Sequence, residues 1–209
     1  MNHLDFTNGN DVTADILIVG AGAAGLRASI EARRNNLNVL LTSKMPKDSP
    51  NSSSMAGGWM TYVEKGSEDE VFKYTVEEGC YLNNQNLVDA FVNGSRLEIP
   101  GLMDIGVKLE VREYPWGRGF NRPSKQYLSV TDKEPHGISI IEALRDTAEG
   151  LGVRILYNSF VTRLLTNGSS VVGATIMNLK SGRFQAFRSK AARAHLNSSR
   201  YGIFMRSTF

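Results

Sequence analysis

The sequence predicts an α/β protein of Rossmann-like type, and three observations carry that reading. Ile16-Leu17-Ile18-Val19 is an apolar run suited to a strand buried on both faces, and Gly20-x-Gly22-x-x-Gly25 follows it directly. The stretch from Ala23 to about Asn36 has helical spacing and leads into a second apolar run, Val39 to Leu41. Further along, short apolar runs separated by turn signals read as a β-meander. The predicted order is therefore a βαβ start, a helical insert, a further α–β unit and a β-meander.

In the glycine turn each residue has a physical reason. Gly20 allows the tight turn, Gly22 removes the side chain that would block a pyrophosphate, and Gly25 lets the helix lie close to the strand. The helix start offers free N–H groups and partial positive charge to phosphate. Ala23, Leu26 and Ile30 are expected to face the sheet, with Arg33 and Arg34 outward near the C-terminal end, where they suit the helix dipole, and Asn35-Asn36 closing it. The second strand leads to Thr42-Ser43-Lys44, where a plain NAD site would carry Asp or Glu for the ribose hydroxyls. Ser43 can still hydrogen-bond a ribose, but it argues against a simple NAD enzyme. Ser49 to Trp59 is rich in Ser and Gly, so its backbone could press against a flat ring or a phosphate; the alternative is a solvated linker.

Helices are predicted over Glu68 to Tyr81 and Asn86 to Ile99, the second with an apolar stripe of Leu87, Ala90, Phe91 and Leu97 and a stop at Pro100-Gly101. Cys80 is expected to be a buried helix residue. Val107 to Val111 and Gln126 to Val130 read as strands around a loop, Glu113 to Ser124, whose Trp116, Arg118 and Arg122 either meet an anionic substrate or are simply exposed. His136-Gly137 precedes an amphipathic helix, Ile138 to Leu151, with Ile140, Ile141, Leu144 and Ala148 on its apolar side; His136 reads as a helix-start residue rather than a catalyst. Strands are expected at Val153 to Tyr157, Phe160 to Leu165, Val171 to Met177 and Phe184 to Phe187.

At 209 residues the chain can bury one good core. No apolar run approaches the roughly 20 residues of a membrane span, and residues 1–13 read as a polar, flexible leader without a secretory core, so the expected compartment is the cytoplasm. A single cysteine excludes an internal disulfide framework, a thiolate zinc site and a self-contained iron–sulfur cluster, and no metal is expected. The net charge is +3, but Arg188, Lys190, Arg193, Arg200 and Arg206 lie in a C-terminal run without acids, which leaves −2 for the rest. A basic tail without a stacking platform is no nucleic-acid site.

Four segments together resemble a known family: Asp15 to Leu26, Leu40-Leu-Thr-Ser-Lys44, the loop from Ser52 ending Ala56-Gly57-Gly58, and Gly137-Ile-Ser-Ile-Ile through Val161-Thr-Arg-Leu-Leu165. Over about residues 14–190 the chain resembles the N-terminal FAD-binding portion of the fumarate reductase and succinate dehydrogenase flavoprotein subunits, a group that includes L-aspartate oxidase. The resemblance implies that Gly20, Gly22, Ala23, Ala24 and Gly25 hold the pyrophosphate and that Ser43 and Lys44 sit at the adenosine ribose. It further implies that Asn51, Ser52, Ala56, Gly57 and Gly58 line the isoalloxazine and that Val161 offers backbone groups to the adenine. Members that bind FAD covalently use a histidine before the Gly-Gly; Asn51 takes that place here, so the FAD is expected to be non-covalent.

The resemblance also implies a small dicarboxylate as substrate, an iron–sulfur or other electron-transfer subunit as partner, and no direct membrane insertion. It departs at 191–209, an atypical basic tail where Asn197-Ser198-Ser199-Arg200 stands in place of the family's Ala-Thr-Gly-Gly. The family's substrate-binding histidine and arginine and its proton-donating arginine would fall beyond Phe209, with Arg118, Arg122 and Arg145 as local substitutes. The expected domain is thus a partial one over 14–190, incomplete at the C-terminus. Its expected function is hydride transfer between flavin and dicarboxylate, with little turnover by this chain alone. The alternatives are a non-catalytic nucleotide-binding remnant and a small NAD-binding module.

Overall fold

A computed structural model describes residues 12–112 and 124–194. The described chain runs β1 (Val12–Val19), α1 (Ala23–Arg34), β2 (Val39–Thr42), β3 (Trp59–Val63), α2 (Glu68–Glu78), α3 (Gln85–Asp104), β4 (Leu109–Val111), β5 (Ser124–Ser129), α4 (Gly137–Gly150), β6 (Arg154–Leu156), β7 (Ser159–Asn167), β8 (Ser170–Asn178) and β9 (Phe184–Ala194). It divides into two compact units, one drawn from Met1–Ser52 and Leu144–Phe209, the other from Ser53–Ala143.

The first unit is built on a six-stranded sheet in the order β6-β2-β1-β9-β8-β7. β6, β2, β1 and β9 are parallel neighbours, whereas β8 and β7 continue antiparallel. β1 and β2 are joined through α1, which buries Gly25, Leu26, Ser29, Ile30 and Ala32. Leu17, Leu40, Ala174, Ile176 and Phe187 form one core cluster of this sheet. The βαβ start is therefore as the sequence predicts.

One feature of the sheet agrees with the expected order and one differs. β6 follows α4 and stands outside the meander, pairing parallel with β2 at the far edge. The meander is β7-β8-β9, and β9 runs on to Ala194 alongside β1. Residues 191–194, expected in the tail, are thus strand, and Val12 and Thr13, expected in the leader, pair with Phe187 and Arg188. The basic run hid the strand because its charge sits at alternate positions: Phe187 and Ser189 are buried, Arg188 and Lys190 exposed. The rest of the leader and tail lies outside the described residues.

In the second unit, α2 and α3 accompany the antiparallel sheet β3-β5-β4. Val63, Val71, Val76, Val88 and Val92 make its core, with Phe72 packed against them. The helix predicted to Tyr81 ends at Glu78; Cys80 and Tyr81 turn left-handed at φ 51° and 62°, and the Tyr81 N–H closes the helix end on the Val76 carbonyl at 3.0 Å. Cys80 is consequently exposed, not buried.

α3 passes through Pro100 to Asp104 instead of stopping, since an exposed proline there forfeits one backbone bond without meeting the core. Its expected stripe is also on the wrong face. Leu87, Phe91 and Leu97 are exposed, while Val88, Val92, Ser95 and Ile99 are buried. Both series have helical spacing, and Ser95 helps to decide between them: its Oγ accepts the Val63 N–H at 3.1 Å and so ties the helix to β3.

The loop holding Trp116, Arg118 and Arg122 lies outside the described residues. Among the described residues no helix is long and apolar enough to cross a membrane, and no group of three His, Cys, Asp or Glu side chains could hold a metal ion.

Candidate functional site

In the first unit the site is built where β1 gives way to α1. The Gly20 N–H donates to the Thr42 carbonyl at 2.9 Å, which fixes the turn beside the end of β2. Gly22 is the N-cap, extended at φ −83° and ψ −178°, and it offers no side chain to bond the first helical turn. That turn holds no acid, and Arg33 and Arg34 occupy the last turn. The positive end of the helix dipole therefore lies at the carboxyl ends of β1 and β2 without a side-chain oxygen of its own to neutralise it. Gly25 makes this geometry possible: a Cβ there would stand 1.8 Å from the Gly20 carbonyl oxygen.

Ser43, just past β2, is held on both sides of its backbone. Its N–H donates to the Leu156 carbonyl and its carbonyl accepts from Ser159, both at 2.8 Å. The hydroxyl folds back on its own turn, donating to the Met45 carbonyl at 3.1 Å and accepting the Met45 N–H at 3.2 Å. Lys44 is exposed. Val161 lies two residues beyond Ser159 on β7, an edge strand, at a register shift between Val161 and Arg163. Such a bulge on an edge leaves backbone groups outside the ladder. Gly20, Gly22, Ala23, Ala24, Gly25, Ser43, Lys44 and Val161 are thus carried by the ends of β1 and β2, the start of α1 and β7.

Arg145, one of the plausible local substitutes for a carboxylate clamp, is engaged within the first unit. Its guanidinium is largely buried and committed: Nη1 donates to the Lys47 carbonyl and pairs with Asp48 Oδ1, each at 3.1 Å. One helical turn on, the Glu149 carboxylate takes the Lys47 ammonium at 2.8 Å and the Tyr157 hydroxyl at 3.2 Å. The Lys47 hydrogen bond, with a smaller contribution from Tyr157, holds the Glu149 carboxyl below the usual glutamate range, against the opposing effect of burial. Burial, followed by the charge of Glu149, pushes Tyr157 up to about 12, so its hydroxyl stays a donor at neutral pH. A carboxyl lowered in the folded state contributes stability above its unfolded pKa and loses it as pH falls through the folded value. We expect the urea midpoint of wild type to drop between about pH 5 and pH 3, and part of that drop to disappear in Glu149→Gln.

The rest of the predicted site divides between the units. Asn51 is half-buried and Ser52 exposed, both at the end of the first unit's N-terminal segment. Ala56, Gly57 and Gly58 belong to the second. There the loop is clamped to the start of α4. The Gly137 N–H donates to the Ala56 carbonyl at 2.9 Å, and a Cβ on Gly137 would lie 2.3 Å from the Ser53 carbonyl oxygen. Gly58 is left-handed at φ +74°, and a Cβ there would stand 2.6 Å from that of His136. His136 is a helix-start residue, as expected: its Nδ1–H donates to the Ser129 carbonyl at 2.6 Å, and Nε2 lies 3.3 Å from Glu134 Oε1. Gly57 is exposed.

A helix start with no acid in its first turn and a glycine cradle that a side chain would fill suit the phosphates of a dinucleotide. The sequence matches the FAD binding domain family over residues 15–196. The chain belongs to this family. FAD is accordingly the cofactor of the fold. A probable fumarate reductase of Shewanella frigidimarina is 30% identical over 186 residues, covering 84% of this chain and 31% of that protein. The open conformation of a flavocytochrome c3 fumarate reductase superposes with a TM-score of 0.76 at 25% identity, covering 89% of this chain and 34% of that one. A 3-ketosteroid dehydrogenase of Rhodococcus jostii shares the fold at TM-score 0.74 and 23% identity, over 90% of this chain and 46% of that one. The chain thus spans about a third of the length of the curated relative, and the fold alone does not choose among substrates.

Sequence reasoning found the glycines but missed what supports them. The sequence marks His136-Gly137 as a helix start or loop but gives no sign of its close approach to Gly58. The i, i+4 spacing of Arg145 and Glu149 was visible, yet their partner Lys47 is about a hundred residues away and no local pattern points to it.

Proposed function

We propose that this chain is the FAD-binding portion of an oxidoreductase of the fumarate reductase and succinate dehydrogenase type, working in the cytoplasm on a small dicarboxylate. The domain proposed to bind FAD is that of residues 14–190, with β9 carrying it on to Ala194. The observation that carries the reading is the glycine start of α1, whose N-cap Gly22 brings no side chain, beside the ends of β1 and β2. Gly20, Gly22, Ala23, Ala24 and Gly25 would hold the pyrophosphate through backbone N–H groups and the helix dipole. Ser43 and Lys44 would meet the ribose and Val161 the adenine. The Ser43 hydroxyl is engaged with Met45, so a ribose bond there requires it to share or exchange that partner. Asn51, Ser52, Ala56, Gly57 and Gly58 would line the isoalloxazine.

When bound, FAD supplies the hydride chemistry, and the protein's part is to bind it, orient it and keep water from it. The likeness to fumarate reductases supports the dicarboxylate reading, and an iron–sulfur or other electron-transfer subunit is the proposed partner. The family match favours this reading over a small NAD-binding module. With asparagine where covalent members carry histidine, the FAD is proposed to be non-covalent. The test is the visible absorbance of the chain purified with FAD, followed by acid precipitation. We expect a flavin spectrum that passes entirely into the supernatant. Colour left on the precipitate would overturn the non-covalent reading, and a colourless chain the cofactor site itself.

A further inference from the structure

The segment that follows β2 carries Ser43 and Lys44 and holds no helix or strand through Asp48. Its shape is nonetheless fixed from two sides. The β6–β7 turn holds its start, through Leu156, Asn158 and Ser159 bonded to Ser43 and Met45. Two successive turns of α4 hold its end, Arg145 on the Lys47 carbonyl and Asp48 and Glu149 on the Lys47 ammonium. Glu149 is in turn held by the Tyr157 hydroxyl, so the two sides are connected.

Arg145 is an odd choice if stability were its only purpose. Its side chain is 13% exposed, yet among the described residues Nε makes no hydrogen bond, and Asp146 Oδ1 lies 3.9 Å from it. A largely buried cation with an unused donor is commonly matched or bettered in stability by an apolar side chain of similar volume. What an apolar side chain would lose is the pair of directional bonds to Lys47 and Asp48. We propose that Arg145, with Glu149 beside it, is a positioning residue for the adenosine end of FAD: it fixes the Lys47–Asp48 segment and through it the turn that presents Ser43 and Lys44. This rests on the FAD reading above. Neither residue touches the nucleotide in this account; they set the geometry of the turn that does.

The experiment measures FAD, ADP and FMN affinities of the 209-residue chain for wild type, Arg145→Met and Arg145→Lys, with the thermal midpoint of each apo form. FMN lacks the adenosine and serves as the internal control. Arg145→Met is expected to weaken FAD and ADP about tenfold, the lower end of what losing an outer supporting partner costs a bound ion. FMN affinity and the apo midpoint should be unchanged, and Arg145→Lys, which keeps a donor for the Lys47 carbonyl, should recover most of the loss. FAD affinity unchanged in Arg145→Met, or FMN weakened as much as FAD, would overturn the proposal. So would a fall in the apo midpoint that accounts for the lost affinity. A wild-type chain that binds neither FAD nor ADP would instead overturn the cofactor reading beneath it.

Discussion

Gly22→Val is expected to abolish FAD binding, weakening it by a factor of about 100 or more, while the apo protein keeps its fold. The two halves of that expectation have separate causes. Gly22 sits at φ −83° and ψ −178°, an extended conformation that valine adopts readily, so the backbone needs no glycine there. It is, however, the N-cap of α1, and a branched side chain on it would stand among the N–H groups proposed to hold the pyrophosphate. Circular dichroism of the apo form and titration with FAD and ADP separate the two. Affinity within threefold of wild type for both ligands would show the turn to be structural only.

Gly25→Ala should behave differently, losing the fold's stability together with the cofactor. Its added methyl would be placed 1.8 Å from the Gly20 carbonyl oxygen and 3.1 Å from the carbonyl carbon. Backbone cannot yield as a flexible side chain does, so α1 must move off β1 or the Gly20 turn must open. Overpacking of this kind costs about 1–3 kcal/mol and occasionally more. For a chain of this size that corresponds to a fall of roughly 3–10 °C in the thermal midpoint. Differential scanning calorimetry of apo Gly25→Ala and apo Gly22→Val is the direct comparison. If Gly25→Ala melts with wild type, the close approach of α1 to the turn is not a constraint on the protein.

These two glycines illustrate how much of the site was legible. The strand, the glycine spacing, the helix and the second strand are local, each following from residues within a few turns of one another. The sequence therefore predicted α1, β2 and the end of β1 with nearly correct bounds, though β1 begins four residues earlier, at Val12. What escaped it depends on distant partners. α3 carries two apolar series at helical spacing, and the choice between Val88-Val92-Ile99 and Leu87-Phe91-Leu97 involves the bond between Ser95 and Val63, which no periodicity reveals. Cys80 was expected to be buried because helical spacing ran through it, but the left-handed residues after Gly79 end the helix first. Arg145 looked available as a clamp because its partners, Lys47 and Asp48, lie far away in the sequence.

β9 lies between β1 and β8, although it is the last described strand and β1 the first. During synthesis, β1 and β2 emerge early and pair parallel, yet one full edge of β1 has no partner until residues 184–194 have left the ribosome. Such an edge, apolar at Leu17 and Ile18, is a template for pairing with other chains. Contacts this distant in sequence also close slowly, because the entropy of bringing the ends together is lost before the pairing repays it. The order of strands in this sheet thus leaves that edge of β1 open to pairing with other chains until β9 arrives, an interval in which a holding chaperone would have an edge to cover.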